Sequence, residues 1–158
     1  MSYELQAVLG SAITLRGVLG RQAEVPAVLV PLHQNVAMVP MTDELFDVVI
    51  NGAPESPLGF WKLPGGFDWV LAGWSTSGPI GYVEAEYFGG VGGQRAVLWV
   101  GGHLVFGPLS VEEGQVWPAE GSPISQILAR LGVDRSGHHD EFDAVGLAEH
   151  RHTADWLA

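Results

Sequence analysis

The chain has 158 residues, of which 47% are hydrophobic and 16% are charged. This composition excludes a disordered chain, and the length suits one folded domain rather than two. Eighteen acidic residues against seven Lys and Arg residues give a formal net charge of -11, which opposes binding to nucleic acid phosphates and to anionic membranes. A basic protein is the natural partner for such a chain.

Cysteine is absent, so the chain has no disulfide, no thiolate metal ligand and no cysteine nucleophile. The opening sequence MSYELQAVLG lacks the basic and apolar segments of a secretory signal, and no apolar run reaches the ~18 residues of a membrane span. We therefore expect a cytoplasmic protein without a membrane segment.

The first part of the chain predicts the beginning of a sheet. Residues 1–10 fit a strand, whereas the mixed pattern over 11–20 leaves that segment, and the register of the first 25 residues, open. Two later runs are rich in β-branched residues and carry prolines at their ends. They predict a hairpin of two short strands, 27–32 and 36–39, near a sheet edge.

The next part combines short helices with a constrained loop. Thr42 supplies a cap, and two acidic residues supply the first turn, for a helix over 43–50. Prolines and glycines surround aromatic side chains over 53–66, which predicts a loop packed on the body of the protein. Residues 67–74 predict a second short helix.

The clearest β signal follows in residues 80–106. Strands are predicted over 80–88, 94–100 and 104–106, and Gly101-Gly102 suits a tight turn with positive φ angles between the last two. Three consecutive strands joined by short connections predict an antiparallel meander.

The C-terminal part predicts one helix and a polar segment. Ser122 is placed to cap the helix, Pro123 to occupy its first turn and Gly132 to end it. Residues 136–153 are polar and rich in histidine, after which Trp156 is expected to pack on the body. Together the elements predict a single α+β domain over 1–158, with a mainly antiparallel sheet and a few short helices.

Glu84 and Glu86 form the first candidate site. The period of two in a strand places both carboxylates on one face, together with Tyr82 and Phe88. Three interpretations stay open: a solvated face that keeps the sheet soluble, a surface that binds a cationic partner, or a pair of carboxylates for acid–base chemistry.

Two glycine-containing motifs predict turns rather than chemistry. The run GGVGG at 89–93 lacks the G-x-G-x-x-G spacing before a helix and is followed by no Gly-Lys-Ser/Thr. The segment GWSTS at 73–77 departs from the nucleophile elbow G-x-S-x-G and precedes a strand, where the elbow requires a helix. The sequence therefore predicts no cofactor.

Four of the six histidines lie near acidic residues close to the C-terminus. His150 and His152 would point to the same side of an extended segment, but no pair has the spacing of a helical metal motif. We predict no metal site and keep His138, His150 and His152 as the alternative ligand set. Among the tryptophans, Trp61 and Trp117 lie in proline-containing loops and are the candidates for contact with a ligand or partner.

Three segments carry a resemblance to known proteins: GYVEAEYFGGVG at 81–92, SPISQ at 122–126 and DEFDAVGL at 140–147. They resemble a family of small bacterial proteins with no established activity, over roughly residues 77–158. In its acidic character the chain is similar to the immunity partners of bacterial toxins. The resemblance implies that related proteins exist, but it implies no catalytic residues.

Two functions follow as hypotheses. The first is a cytoplasmic, non-enzymatic, immunity-like module that binds a basic partner, in which an acidic surface steers the encounter and Trp117 anchors it. The acidic residues assigned to that surface are Glu84, Glu86, Asp140, Glu141 and Asp143. The alternative is a small-molecule or metal-dependent enzyme or binder, with its site between the Glu84/Glu86 face and the C-terminal histidines. The oligomeric state stays open.

Overall fold

A computed structural model describes residues 2–21, 25–49, 57–89 and 91–157. Six strands form one antiparallel sheet with the order β2-β3-β1-β4-β5-β6. They are β1 (Ser2–Ser11), β2 (Val30–Pro31), β3 (Val36–Pro40), β4 (Ile80–Phe88), β5 (Val91–Val100) and β6 (His103–Val111). The predicted α+β class with a mainly antiparallel sheet is confirmed.

Within the described ranges, five short α-helices accompany the sheet: α1 (Ala12–Gly20), α2 (Asp43–Val49), α3 (Phe67–Trp74), α4 (Pro123–Arg130) and α5 (Glu141–Ala144). Short 3-10 helices cover Pro57–Gly59, Leu147–Glu149 and Thr153–Leu157. Among these described residues, no helix combines the length and the apolar character that a membrane crossing requires.

Local capping explains where two of the helices begin. The Ser122 hydroxyl oxygen accepts a hydrogen bond from the Ser125 amide at 3.3 Å, as the sequence predicts for the start of α4. The Ser11 hydroxyl oxygen accepts one from the Thr14 amide at 3.1 Å. This second cap makes the undecided segment 11–20 helical from Ala12 onward.

Several predicted boundaries change. The strand expected over 27–32 is only two residues long, and it lies at the sheet edge, where Pro31 has no N–H to extend a ladder. The strands expected over 94–100 and 104–106 are longer in the structure, because β5 begins at Val91 and β6 continues to Val111. Residues 50, 53–56 and 90, on which parts of the helix and loop predictions fall, lie outside the described residues.

The sheet is buried on both faces, which the sequence did not predict. One face, here called the α4 face, packs residues such as Leu5, Val83 and Leu98 against α4 and α5. The other, called the α3 face, packs residues such as Tyr82 and Trp99 against α1, α2, α3 and the 57–66 loop. The interpretation of the Tyr82/Glu84 side as a solvated face is therefore wrong along most of β4.

The C-terminal segment covers an edge of β1. Strand β3 pairs with β1 only from Ala7 onward, which leaves the outer edge of its first residues free for another partner. The Glu4 amide donates to the Arg151 carbonyl oxygen at 2.7 Å, and the Gln6 amide donates to the Thr153 hydroxyl oxygen at 3.1 Å. Trp156 is partly buried against the core of the α4 face, so the expected docking of this tryptophan is confirmed.

Candidate functional site

Two depressions open on opposite faces of one end of the sheet. This end is formed by the beginning of β1, the end of β4 and the beginning of β5, which lie next to each other because Ser2 pairs with Phe88 and Phe88 with Val91. On the α4 face lies an aromatic cavity, and on the α3 face lies an acidic groove. Neither depression is evident from any single segment of the sequence.

The aromatic cavity has a volume of about 570 Å³. Tyr3 and Tyr87 are direct cross-strand neighbours, which places their side chains on the same face. Phe142 packs against Tyr3 with ring centroids 5.5 Å apart, and Trp117 packs against Tyr87 at 6.4 Å. Each tyrosine of this cross-strand pair therefore has one further aromatic ring beside it, Phe142 at Tyr3 and Trp117 at Tyr87.

The two tyrosine hydroxyls of this pair differ in their bonding. The Tyr3 hydroxyl donates to the Leu147 carbonyl oxygen at 2.8 Å. The Tyr87 hydroxyl oxygen is buried, and within the described residues the Gln94 side chain is close enough to act on it without reaching full hydrogen-bond geometry. Burial raises the pKa of Tyr87 to about 12; the Gln94 amide opposes the rise, and the Asp140 carboxylate adds to it. Tyr87 therefore stays protonated at neutral pH, and its hydroxyl oxygen is not exposed to the cavity.

Charged side chains of both signs complete the cavity. Arg135 and Arg151 bring two guanidinium groups, and Asp140 and Glu141 bring two carboxylates. Asp140 is fixed in place because its Oδ1 accepts the Asp143 amide at 2.8 Å and so caps α5. The formal charges of these four side chains cancel.

The acidic groove has a volume of about 360 Å³ and a different character. Exposed apolar side chains lie within it, with Phe88 77% exposed and Val91 50% exposed. Its other lining residues are Trp61, Glu86, Gly92, Gly93, Glu112 and Glu113. Within the part of the chain that the structure describes, the lining thus includes three glutamates and no basic residue.

Arg95 organises one side of the acidic groove. Its guanidinium lies over the Trp61 ring, 4.2 Å from the ring centroid, and its Nη2 lies 2.9 Å from the Glu112 Oε1. The stacking and the ion pair hold the tryptophan and this glutamate in a fixed relation. Glu86 and Glu113 appear in neither interaction.

Glu84 lies beneath this groove and is fully buried. Its carboxylate accepts hydrogen bonds from the Trp61 amide at 2.5 Å, the Lys62 amide at 2.7 Å and the Tyr82 hydroxyl at 3.0 Å. Burial raises the pKa of Glu84, and these donors, together with Arg95, oppose the rise. The carboxylate ties the 57–66 loop to the sheet.

The structure divides the six predicted contact residues into separate groups. Glu84 has no exposed surface, so its assignment to an acidic contact surface is wrong. Glu86 lines the acidic groove, whereas Trp117, Asp140 and Glu141 come together at the aromatic cavity. The sixth, Asp143, is exposed on α5, where its Oδ2 lies 3.2 Å from the His138 Nδ1.

The alternative metal ligands are not brought together. His138 lies beside Asp143, His150 packs against the Trp156 ring with centroids 4.5 Å apart, and the His152 Nδ1 lies 3.9 Å from the Glu4 Oε1. Across residues 2–21, 25–49, 57–89 and 91–157, no group of three His, Asp or Glu side chains is arranged to hold a metal ion.

The alternative site between the two glutamates and the histidine segment is formed only in part. His152 and Glu86 line one groove of about 280 Å³ along β1 and β4. Glu84 does not reach it, because its carboxylate is occupied beneath the 57–66 loop. The predicted Glu84/Glu86 pair is therefore not assembled in this groove. The carboxylates that line it are instead those of Glu4 and Glu86, which are cross-strand neighbours on β1 and β4. The Glu4 carboxylate already accepts hydrogen bonds from the Thr153 amide and hydroxyl.

Sequence reasoning missed several lining residues of both depressions. Tyr3 becomes the neighbour of Tyr87 through strand pairing, and Phe142 reaches Tyr3 through the docking of α5; no local pattern encodes either. Glu112 and Glu113 were detectable as an acidic pair near the predicted meander. Their proximity to Glu86 depends on the pairing of β5 with both β4 and β6.

Comparisons with protein-family models, with curated proteins and with solved structures gave no match to this chain. The assignment of function therefore rests on the geometry and charge of these two depressions.

Proposed function

We propose that the protein is a non-enzymatic, cytoplasmic interaction module that binds a basic partner protein at the acidic groove, in the manner of an immunity-like inhibitor. The observation that supports this is the combination of exposed apolar side chains with carboxylates in one groove. Phe88 and Val91 are exposed in the groove that Glu86, Glu112 and Glu113 also line.

An exposed apolar centre with a charged rim is typical of a protein-binding surface. Apolar side chains of the size of Phe88 and Trp61 gain most of their binding energy when a partner removes them from water. Rim charges such as Glu86 and Glu113 mainly set the encounter rate and exclude partners of the same sign. With a net charge of -11, the whole molecule adds to the attraction of a basic surface.

The remaining predicted contact residues belong to the other face. Trp117, Asp140 and Glu141 line the aromatic cavity, which also contains two arginines. That cavity has no net negative charge from its four charged side chains, so it is a poorer match for a basic surface than the acidic groove.

The first experiment identifies the partner by its charge. The immobilised full chain is incubated with lysate of the native cell at low salt, and bound proteins are released by a salt gradient. We expect one basic protein to be released by salt in stoichiometric amount. If no basic protein is retained under gentle conditions, the proposal is wrong.

The second experiment locates the contact with matched variants. Glu86→Gln/Glu113→Gln removes two charges from the groove, and Glu44→Gln/Asp47→Asn removes two exposed charges from α2. At low salt we expect the groove variant to associate roughly 3- to 10-fold more slowly with the isolated partner and the α2 variant to change less than about 2-fold. Salt should remove the difference. Equal effects of the two variants would place the contact elsewhere.

A further inference from the structure

The aromatic cavity combines apolar rings with side chains of both charges. We propose that it binds a free α-amino acid with an aromatic side chain, in its zwitterionic form. This site lies on the opposite face of the sheet from the acidic groove, and the inference does not depend on the proposed function.

The cavity offers enough space and apolar surface for an aromatic side chain. Its volume of about 570 Å³ lies within the roughly 300–1,000 Å³ of small-molecule sites. Tyr3 and Tyr87 line it together with Phe142 and Trp117, whose ring centroids lie 5.5 and 6.4 Å from those of the tyrosines beside them. Trp117 is still 44% exposed, so a ligand ring that contacts it removes further apolar surface from water.

Two arginines and two acidic residues line the same cavity, and they do not neutralise one another by pairing. Within residues 2–21, 25–49, 57–89 and 91–157, the charged groups of Arg135, Arg151, Asp140 and Glu141 form no ion pair with one another. The guanidinium groups can therefore still bind an anionic group of a ligand, and the carboxylates can still bind a cationic one.

The segments that carry the two arginines are fixed to the body of the protein. Gln34 holds the residue before Arg135, because its Nε2 donates to the Asp134 carbonyl oxygen at 2.7 Å and its Oε1 accepts the Asp134 amide at 2.8 Å. The Arg151 carbonyl oxygen accepts the Glu4 amide at 2.7 Å. Segments that are already ordered reduce the conformational entropy lost when a ligand binds.

This set of groups specifies a zwitterion rather than a simple ion. The two guanidinium groups disfavour a cation, and the two carboxylates disfavour an anion. An α-amino acid carries both charges: its planar carboxylate matches the donors of a guanidinium, and its ammonium group donates to carboxylates. Both charges lie next to the carbon that bears the side chain, so the aromatic ring can contact the apolar wall while the charged groups bind the arginines and the acidic residues.

Four probes separate the contributions of the ring and of the two charges. L-Tryptophan carries the ring and both charges, whereas tryptamine lacks the carboxylate, indole-3-propionate lacks the ammonium group and L-alanine lacks the ring. Each is titrated into the full chain at neutral pH by isothermal calorimetry, and NMR signals of the Trp117 indole N–H and the Gln94 side-chain amide locate the site. We expect L-tryptophan to bind at least about 10-fold more tightly than each other probe, because each lacks one charge-assisted contact or the aromatic contact.

Three variants test the assignment of the charged groups. Arg135→Gln/Arg151→Gln is expected to weaken L-tryptophan binding about 10-fold and to remove its preference over tryptamine. Glu141→Gln is expected to weaken L-tryptophan binding about 3- to 10-fold without weakening indole-3-propionate binding. Arg16→Gln is the control, because Arg16 is exposed on α1, which packs on the α3 face. Thermal unfolding verifies that each variant is folded.

The results decide the matter in either direction. Preferential binding of L-tryptophan, with these charge-selective losses, supports the proposal. The absence of saturable L-tryptophan binding to the folded wild-type protein, or equal affinities for the three indole probes, overturns it. An effect of Arg16→Gln as large as that of the double arginine variant also overturns it. Because no partner protein is used, failure here leaves the acidic-groove proposal untouched, and failure of that proposal leaves this one untouched.

Discussion

Glu84 offers a direct test of how the aromatic loop is held on the sheet. Replacing it with alanine removes the acceptor for the Trp61 and Lys62 amides, which lie at 2.5 and 2.7 Å. The Tyr82 hydroxyl keeps an acceptor, because its single O–H can donate to the Lys62 carbonyl oxygen at 3.0 Å instead. Two backbone N–H groups are therefore left without an acceptor, at a cost of about 1–3 kcal/mol each.

The alanine variant no longer has to bury a carboxylate, and this offsets part of the cost. Burial disfavours the charged form of Glu84, as its raised pKa indicates. We expect Glu84→Ala to lower the free energy of unfolding by about 2–3 kcal/mol, at the lower end of the summed cost. Urea unfolding followed by circular dichroism measures this quantity directly.

Glu86→Ala is the matched control, because Glu86 lies two residues further along β4, on the same face, and is exposed. Its removal is expected to change stability by less than about 0.5 kcal/mol. If both variants lose the same free energy, the buried carboxylate does not anchor the loop and the reasoning is wrong.

Two further predictions concern the same end of the sheet. Because the pKa of Glu84 is raised, the folded state keeps the Glu84 proton to higher pH than the unfolded state does. The stability of the wild type relative to Glu84→Ala should therefore be greatest in acid and should decrease as the pH rises above 4.5, the ordinary pKa of glutamate. Urea unfolding at several pH values measures this difference, and an increase with pH would contradict the prediction. Gly92→Ala places a Cβ against the Glu86 carbonyl oxygen and should destabilise the protein by more than about 2 kcal/mol. Gly73→Ala lies in open space on α3 and should stabilise the protein by about 0.5–1 kcal/mol. Thermal unfolding compares the two variants, and a shift of both melting temperatures in the same direction would refute the prediction.

The predictions that held depend on contacts between residues close together in the chain. Ser122 caps α4 through an amide three residues away, and α3 has the predicted bounds 67–74. The Gly101-Gly102 turn has the expected positive φ angles of 61° and 87°. Caps, turns and short helices of this kind are encoded locally, so one segment is enough to predict them.

The prediction for Glu84 failed because its environment is set by distant residues. Period two correctly placed Glu84 and Glu86 on one face, but the pattern contains no information on what covers that face. In the structure the 57–66 loop covers Glu84 and leaves Glu86 exposed. Two glutamates that are equivalent in sequence therefore have different environments.

The sequence by itself determined the α+β class, the meander, most of the helices and the acidic net charge. Only the tertiary structure decided which residues share a surface. Tyr3 becomes the neighbour of Tyr87 through the pairing of β1 with β4, and Trp117 joins them through a loop that follows β6. Strand order and the docking of loops result from the burial of apolar surface over the whole chain, and this long-range term leaves no signature in the local pattern.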